Sequence, residues 1–218
     1  MSSYAGSVAG SAFDVQRFLQ MGLLLDAAKT WDSLSQTVYS IEAGRKGKQF
    51  SIELSFDPVD FPHLAGMHYA KDISFGLRPA QYYGTQLIPA LLSGALDDAL
   101  IMKSRSWSKI EGRLKAIVNL KSTLEGDFVI ARFAPGKVPG FCNIQAEYVI
   151  KNTGSSEVFF VFLDQKSGRY YCKSAFQSDN LDYTVNQSLL TILEVTKHVS
   201  GMETVLRRHP SYKPDMKR

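Results

Sequence analysis

The chain has 218 residues, of which 44% are hydrophobic and 21% charged, with 16 glycines and 8 prolines. This composition excludes fibrous, collagen-like and wholly disordered chains, and the length predicts one domain or two small ones. The 25 Lys and Arg against 21 Asp and Glu leave a formal charge of +4. That charge permits a polyanionic partner, although it lacks the dense basic stripe of a dedicated nucleic-acid scaffold.

Residues 1–12 are small and polar and lack the basic and apolar segments of a signal peptide, so a flexible tail is expected. The two cysteines, Cys142 and Cys172, lie far apart without a CxxC pair. This favours a reducing cytoplasm over a disulfide framework and gives no zinc motif. No apolar stretch approaches the roughly 20 residues needed to cross a bilayer. We therefore expect a cytoplasmic protein without a membrane segment, cofactor or metal.

Apolar residues at three- and four-residue spacing predict an amphipathic helix over residues 13–31. Residues 36–43 and 49–56 alternate apolar and polar side chains around a glycine-containing loop, which predicts a β-hairpin. The loop is basic and contains Arg45, Lys46 and Lys48.

Three further helices are predicted before the spacing of the apolar residues changes from helical to strand-like. The first covers residues 61–73, because Asp60 and Pro62 suit a helix start. A short interrupted helix is expected at residues 82–95, and the longest middle helix at residues 104–120, where apolar side chains fall on one face.

The second half of the chain consists of β-branched and aromatic runs separated by Gly, Pro, Asn and Ser. These runs predict four antiparallel strands, at residues 128–133, 144–150, 158–163 and 170–175. Residues 188–199 fit a helix face or a strand, and we favour a strand. Helices followed by strands predict an α+β fold, with the helices packed on one face of an antiparallel sheet. We expect one domain over residues 13–206 and a basic C-terminal tail at residues 207–218.

His63 is the first candidate for chemistry, because it lies in the first turn of the predicted helix at residues 61–73. Its usual pKa of about 6.5 suits proton transfer near neutrality, and the positive helix end lowers that pKa. The alternative is a capping or half-buried structural histidine. His68 lies five residues on, about 140° around a helix, so the two histidines are not expected to share a metal. Lys71 is interpreted first as a solvated charge.

Residues 61–66, Phe-Pro-His-Leu-Ala-Gly, with Lys71-Asp72-Ile73 after them, resemble the F-x-H-L-x-G helix of the PBECR4 family. This phage- and mobile-element-associated family is grouped with barnase-EndoU-colicin-RelE-like nucleases. Similar motifs follow in the family's order over residues 50–210. They are Ala146-Glu147-Tyr148, the apolar strand at residues 158–163, residues 172–176 around Ser174, residues 182–187 ending in Gln187, and Thr191 with Lys197.

The resemblance implies a BECR-like sheet and metal-independent RNA cleavage, in which the 2′-OH attacks the adjacent phosphate. It makes His63 the base or acid, and Lys197, or less favourably Lys71, the cation that holds the phosphate. Hydrogen bonds to RNA are assigned to Ser174, Gln187 and Thr191. Taken one at a time, Ser174 is also readable as a sheet hydroxyl, Gln187 as a turn residue and Lys197 as a solvated charge. We expect His63, Ser174, Gln187 and Lys197 to share one concave surface.

RNA is the expected partner, together with an antitoxin or immunity protein. The residues expected to contact RNA are Lys71, Arg45, Lys46, Lys48, Lys173 and Tyr148. The function predicted is an endoribonuclease that acts as a toxin or as a phage-defence or mobile-element factor. The alternatives are a non-catalytic RNA- or protein-binding module and a structural phage protein.

Overall fold

The computed structural model describes residues 22–74, 84–178 and 180–214. Its helices are α1 (Leu23–Ser35), α2 (Phe61–Leu64), α3 (Leu87–Leu92), α4 (Trp107–Val118) and α5 (Leu120–Glu125). Its strands are β1 (Thr37–Arg45), β2 (Lys48–Ser55), β3 (Phe128–Arg132), β4 (Tyr148–Asn152), β5 (Phe159–Lys166), β6 (Arg169–Gln177), β7 (Ser188–Val199) and β8 (Met202–Arg208). Short 3₁₀ turns lie at Pro58–Asp60, Met67–Tyr69, Asp98–Lys103 and Pro135–Lys137.

The sheet closes into a seven-stranded barrel. Its strand order is β1-β2-β6-β5-β4-β3-β7-β8, and β1 also pairs with β7, which leaves β8 outside the closed ring. The β2–β6 pair is parallel and the other pairs are antiparallel. The expected mixture of helices and strands is confirmed, but the expected arrangement of helices on one face of an antiparallel sheet is wrong. The barrel closes because both edges of β1 are paired, one with β2 and the other with β7. The alternation of apolar and polar residues predicts a strand but does not specify which strands it pairs with.

The basic hairpin formed by β1 and β2 is confirmed. Arg45 pairs with Lys48 across a two-residue turn. Both turn residues have positive φ angles, 50° at Lys46 and 77° at Gly47, as this tight hairpin connection requires.

The predicted helix over residues 61–73 is wrong. Helix α2 ends at Leu64, and a separate 3₁₀ turn covers Met67–Tyr69. Between them Gly66 has a φ of 77°, a left-handed conformation that ends a right-handed helix. The chain therefore changes its direction between His63 and His68, and this change shapes the candidate site.

Helix α1 begins after Gly22 and extends beyond the predicted end at Trp31. The remainder of that prediction, residues 13–21, and the predicted tail at residues 1–12 lie outside the described residues. Helices α3 and α4 fall within the predicted segments at residues 82–95 and 104–120. The first two residues of the former segment, Tyr82 and Tyr83, lie outside the described residues. Among the residues described, no helix is long and apolar enough to cross a membrane.

Five predicted strands are confirmed, including the ambiguous segment that forms β7. Strand β4 begins at Tyr148, four residues later than predicted, because residues 141–146 form an irregular loop. Strand β8 was not predicted, and it pairs with β7 through residues as far along the chain as Arg208. The segment from Met202 to Arg208 therefore forms an edge strand.

The described residues form two hydrophobic cores, which lie on the two faces of the sheet. The larger core joins the barrel interior to the buried faces of α1, α3, α4 and α5. The smaller core lies on the opposite face of β3, β4 and β5, and residues of the loops that follow β3 and β6 pack against it. A side chain on this sheet therefore belongs either to the helix side or to the outer side, which separates the candidate site residues.

Candidate active site

His63 lies in the last turn of α2, with its side chain exposed. Its imidazole stacks on that of His68, with ring centroids 5.0 Å apart and an interplanar angle of 15°. On a continuous helix these side chains would point in different directions. The left-handed Gly66 folds the chain back and brings the two rings together.

Helix α4 contributes the positive charge beside this histidine pair. The ring of Tyr69 lies 4.0 Å from that of His68, and the Arg113 guanidinium is 5.4 Å from the Tyr69 ring. The ammonium of Lys109 lies 5.8 Å from the same ring. Lys109 and Arg113 are four residues apart on α4, so both project from one face. We call His63, His68, Tyr69, Lys109 and Arg113 the His63 cluster.

Close packing fixes the position of Arg113. A Cβ atom added at Gly66 would lie 3.1 Å from the Arg113 Cδ atom and 3.5 Å from a side-chain carbon of Ile110. On the other side of α4, Gly112 approaches Gln177 of β6, with 3.7 Å between its built Cβ position and the Gln177 Cβ atom. Gly66 is thus the position where the absence of a side chain allows Arg113 to pack closely against the backbone.

Two polar atoms of the cluster are buried without a hydrogen-bond partner among the described residues. They are the Nη1 atom of Arg113 and the Nδ1 atom of His68. Most buried polar groups in proteins are hydrogen-bonded, and an unpaired one raises the free energy of the folded state. An anionic ligand would supply acceptors for the guanidinium.

The surroundings hold both imidazoles towards their neutral form. Burial, followed by the charge of Arg113, lowers the pKa of His63 below its usual value. Burial also lowers the pKa of His68, and His63, Arg113 and Lys71 lower it further. The sequence analysis predicted a lowered pKa for His63 but attributed it to the positive end of the helix. A four-residue helix has little dipole, so that cause is wrong. A neutral imidazole is a proton acceptor, so this environment suits general base chemistry.

Ser174 lies on the other side of the sheet from the His63 cluster. It pairs with Phe162 of β5, so the two side chains share a face. Phe162 belongs to the outer core, whereas Cys172 and Ala175 of the same strand belong to the core shared with α4. The strand thus separates the Ser174 hydroxyl from the two imidazoles.

The side-chain amide of Gln187 hydrogen-bonds the loop that follows β3. Its Oε1 atom accepts a hydrogen bond from the Ala134 backbone N–H at 2.9 Å, and its Nε2 atom donates to the Ala134 carbonyl at 3.1 Å. Next to Ala134, Phe133 is buried in the outer core. The Gln187 amide therefore ties the turn before β7 to the chain that follows β3.

Lys197 and Thr191 lie on β7, away from the histidine pair. The Lys197 ammonium donates to the Glu125 carboxylate at 2.7 Å, and the Tyr39 hydroxyl donates to the same carboxylate oxygen at 2.9 Å. Thr191 is exposed and pairs with Gly44 of β1. The predicted convergence of Lys197, Ser174 and Gln187 on His63 is therefore absent from the contacts of the described residues.

The residues predicted to bind RNA are spread over several surfaces. Those of the hairpin tip are exposed, namely Arg45, Lys46 and Lys48. Lys173 forms an ion pair with Asp164, and Tyr148 is buried against Tyr170, with ring centroids 5.5 Å apart. Lys71 is exposed and lies near enough to His68 to lower its pKa. Lys71 and the hairpin tip are therefore the predicted contacts that remain accessible to a polyanion.

Sequence reasoning missed four members of the His63 cluster, namely His68, Tyr69, Lys109 and Arg113. It set His68 aside because of helix spacing, and it interpreted α4 only through its apolar face. The available signals were Gly66 and the pair Lys109 and Arg113, whose four-residue spacing places two cations on one face of a helix. Within the described ranges no group of three or more His, Cys, Asp or Glu side chains could hold a metal ion.

Comparison with protein families identifies the chain's relatives. Residues 23–199 match the family described as phage-Barnase-EndoU-ColicinE5/D-RelE like nuclease 4, or PBECR4. The chain belongs to this nuclease family. The PBECR4 match confirms the resemblance that the sequence motifs indicated, and it contains the whole His63 cluster. No curated protein and no solved structure matched the chain.

Proposed function

We propose that the protein is a metal-independent endoribonuclease whose active site is the His63 cluster. Membership of a nuclease family supports the reaction class. The stacked imidazoles of His63 and His68 beside the unpartnered Arg113 Nη1 atom carry the assignment of the site. This arrangement combines proton acceptors with a half-buried cation, which are the two requirements of phosphodiester transfer without a metal.

His63 is the general base of the proposed reaction. It is the exposed member of the pair, and its lowered pKa keeps the imidazole neutral at pH 7. It takes the proton of the ribose 2′-OH while that oxygen attacks the adjacent phosphorus. The products are a 2′,3′-cyclic phosphate and a free 5′-OH. Because the attacking group belongs to the ribose, DNA is not a substrate.

Arg113 stabilises the negative charge that accumulates on the phosphate oxygens. A guanidinium donates two parallel hydrogen bonds to a phosphate, and Arg113 is held in place by packing against Gly66. Lys71 and Lys109 add positive charge nearby and are suited to the neighbouring phosphates of the strand. Removal of one such electrostatic contact typically lowers a rate by about 10²–10³-fold.

The proposed active site leaves out Ser174, Gln187, Thr191 and Lys197. The Gln187 amide and the Lys197 ammonium already have protein partners, and the sheet separates Ser174 from the imidazoles. The exposed hairpin tip keeps its proposed role in binding the RNA backbone, since its cations face solvent.

The biological role that we propose is a toxin or a phage-defence or mobile-element factor, with RNA as substrate and an antitoxin or immunity protein as partner. Expression of the wild type is expected to slow bacterial growth. Expression of His63→Ala at the same level is expected not to. Equal growth inhibition by both chains would contradict this role.

Incubation of the pure protein with labelled RNA in excess EDTA tests the activity. The wild type is expected to cleave RNA, and His63→Ala is expected to cleave about 10²–10⁴-fold more slowly. His209→Ala is the matched control, because His209 is exposed and the hydrogen bonds of its imidazole within the part of the chain described go to Ser211. RNA that is bound but left intact by the wild type would favour the non-catalytic binding module.

A further inference from the structure

The second imidazole of the His63 cluster is placed for chemistry of its own. The rings of His63 and His68 are nearly parallel, and their centroids are 5.0 Å apart. The Nδ1 atom of His68 is buried without a hydrogen-bond partner among the described residues. A purely structural histidine would normally have its buried ring nitrogen bonded to a neighbour.

We infer that His68 is the general acid of the reaction and protonates the leaving 5′-oxygen. This inference rests on the proposed function and adds a second catalytic residue to the same site. In cleavage by the 2′-OH, the base and the acid act on oxygens attached to one phosphorus. The two oxygens are in line on opposite sides of the phosphorus. Each group must come within about 2.6–3.2 Å of its own oxygen, so the reactive nitrogens of the two rings must lie a few ångströms apart around one phosphate. The stacked pair meets this requirement.

The exposure of the two rings assigns the two roles. His63 is exposed, so it has access to the 2′-OH of a strand that arrives from solvent. His68 is half-buried and contacts the His63 and Tyr69 rings, and the charge of Arg113 acts on both imidazoles. Arg113 holds the phosphate beside the pair, and the leaving oxygen takes its proton from the less exposed ring, His68.

The charges around His68 explain how it obtains that proton. Burial is the largest effect that disfavours protonation of His68 in the free protein, and His63 from α2, Arg113 from α4 and Lys71 from the following turn add to it. Tyr69, the next residue along the chain, contributes a ring contact to His68, and the ammonium of Lys109 on α4 lies over the Tyr69 ring. A bound phosphate adds negative charge beside the pair and neutralises this repulsion. Substrate binding thus favours the protonated form of one imidazole while the other stays neutral.

The step balances without a co-reactant. The bond from the 2′-oxygen to phosphorus forms, and the bond from phosphorus to the 5′-oxygen breaks. The 2′-OH proton passes to His63, and the proton of His68 passes to the 5′-oxygen. Exchange of one proton with water then restores both residues.

A change of leaving group tests the role of His68. After the cleavage site in a labelled RNA is mapped with the wild type, the bridging 5′-oxygen at that site is replaced by sulfur. A thiolate leaves without protonation, so an enzyme that lacks its acid recovers on this substrate. His68→Gln keeps a similar side-chain volume and hydrogen-bonding groups but transfers no proton, and His209→Gln is the control.

We expect His68→Gln to cleave ordinary RNA about 10²–10⁴-fold more slowly than the wild type, and to recover to within about 10-fold on the sulfur substrate. His63→Gln should stay defective on both substrates, because neither substrate supplies a base. Two results overturn the inference: wild-type rates for His68→Gln on ordinary RNA, or an equal defect on both substrates. A wild type that cleaves neither substrate refutes the proposed function itself, and the acid assignment with it.

Discussion

Gly66 offers the sharpest test of how the fold builds the His63 cluster. Its φ of 77° is unfavourable for any residue with a Cβ atom, and that atom would lie 3.1 Å from the Arg113 Cδ atom. Gly201, in the turn between β7 and β8, has a φ of 79° and nothing within 4 Å of its built Cβ position. The two glycines therefore share the backbone conformation and differ in what surrounds them.

Gly66→Ala and Gly201→Ala should each lower the free energy of unfolding by about 1–2 kcal/mol, the cost of a left-handed L-residue. Only Gly66→Ala pushes Arg113 by a few tenths of an ångström. Misplacement of about 1 Å costs on the order of 10²-fold in rate, so we expect roughly a tenfold loss of RNA cleavage. Urea unfolding and initial cleavage rates measure the two quantities. Equal cleavage rates for the two variants, at matched stability, would refute the role of Gly66 in placing Arg113.

Three further predictions follow from individual contacts. Gln187→Ala should lower the free energy of unfolding by about 1–2 kcal/mol, because two hydrogen bonds to Ala134 are lost, and should leave the cleavage rate of the folded protein unchanged. Lys109→Gln should reduce the slope of log affinity against log salt for single-stranded RNA by about 0.7, measured by fluorescence anisotropy, if Lys109 neutralises one phosphate. The folded-state pKa values of His63 and His68 are lowered from 6.5, so the unfolded chain binds more protons below that pH. The free energy of unfolding of the wild type should therefore fall as the pH drops below about 6.5. A variant with Gln at both positions lacks this effect, so its deficit in the free energy of unfolding relative to the wild type, measured by urea unfolding, should be smaller at pH 5.5 than at pH 7.5.

Local patterns predicted most of the strands but could not predict how they pair. Strand β7 was recognised because alternating β-branched residues favour an extended chain, even though its leucines also fitted a helix face. Closure of the barrel depends on β1, which pairs with β2 on one edge and with β7 on the other. The β1–β2 hairpin is local, but the β1–β7 pairing joins segments about 150 residues apart, and no local feature of β1 specifies it.

Sequence reasoning predicted one residue of the candidate site, His63, and missed the residues around it. His63 was selected by its helix and by the family motif, and the structure places it in a cationic cluster. The cluster depends on a single left-handed residue, Gly66. The pattern of residues 61–73 predicted a continuous helix through this glycine, so the break was not foreseen. Gln187 and Lys197 had motif support, but their side chains are held by Ala134 and Glu125, and such contacts become visible only when the chain is folded.

The central claim is that the ribose 2′-OH attacks the phosphate without a metal, and one measurement tests it most directly. The wild type is incubated in EDTA with two labelled strands that differ only in a single 2′-deoxyribose at the mapped cleavage site. We expect cleavage of the all-ribose strand with a 2′,3′-cyclic phosphate end, and no cleavage at the 2′-deoxy position. Cleavage of both strands at that position, or cleavage of the all-ribose strand only when Mg²⁺ is restored, would contradict the account.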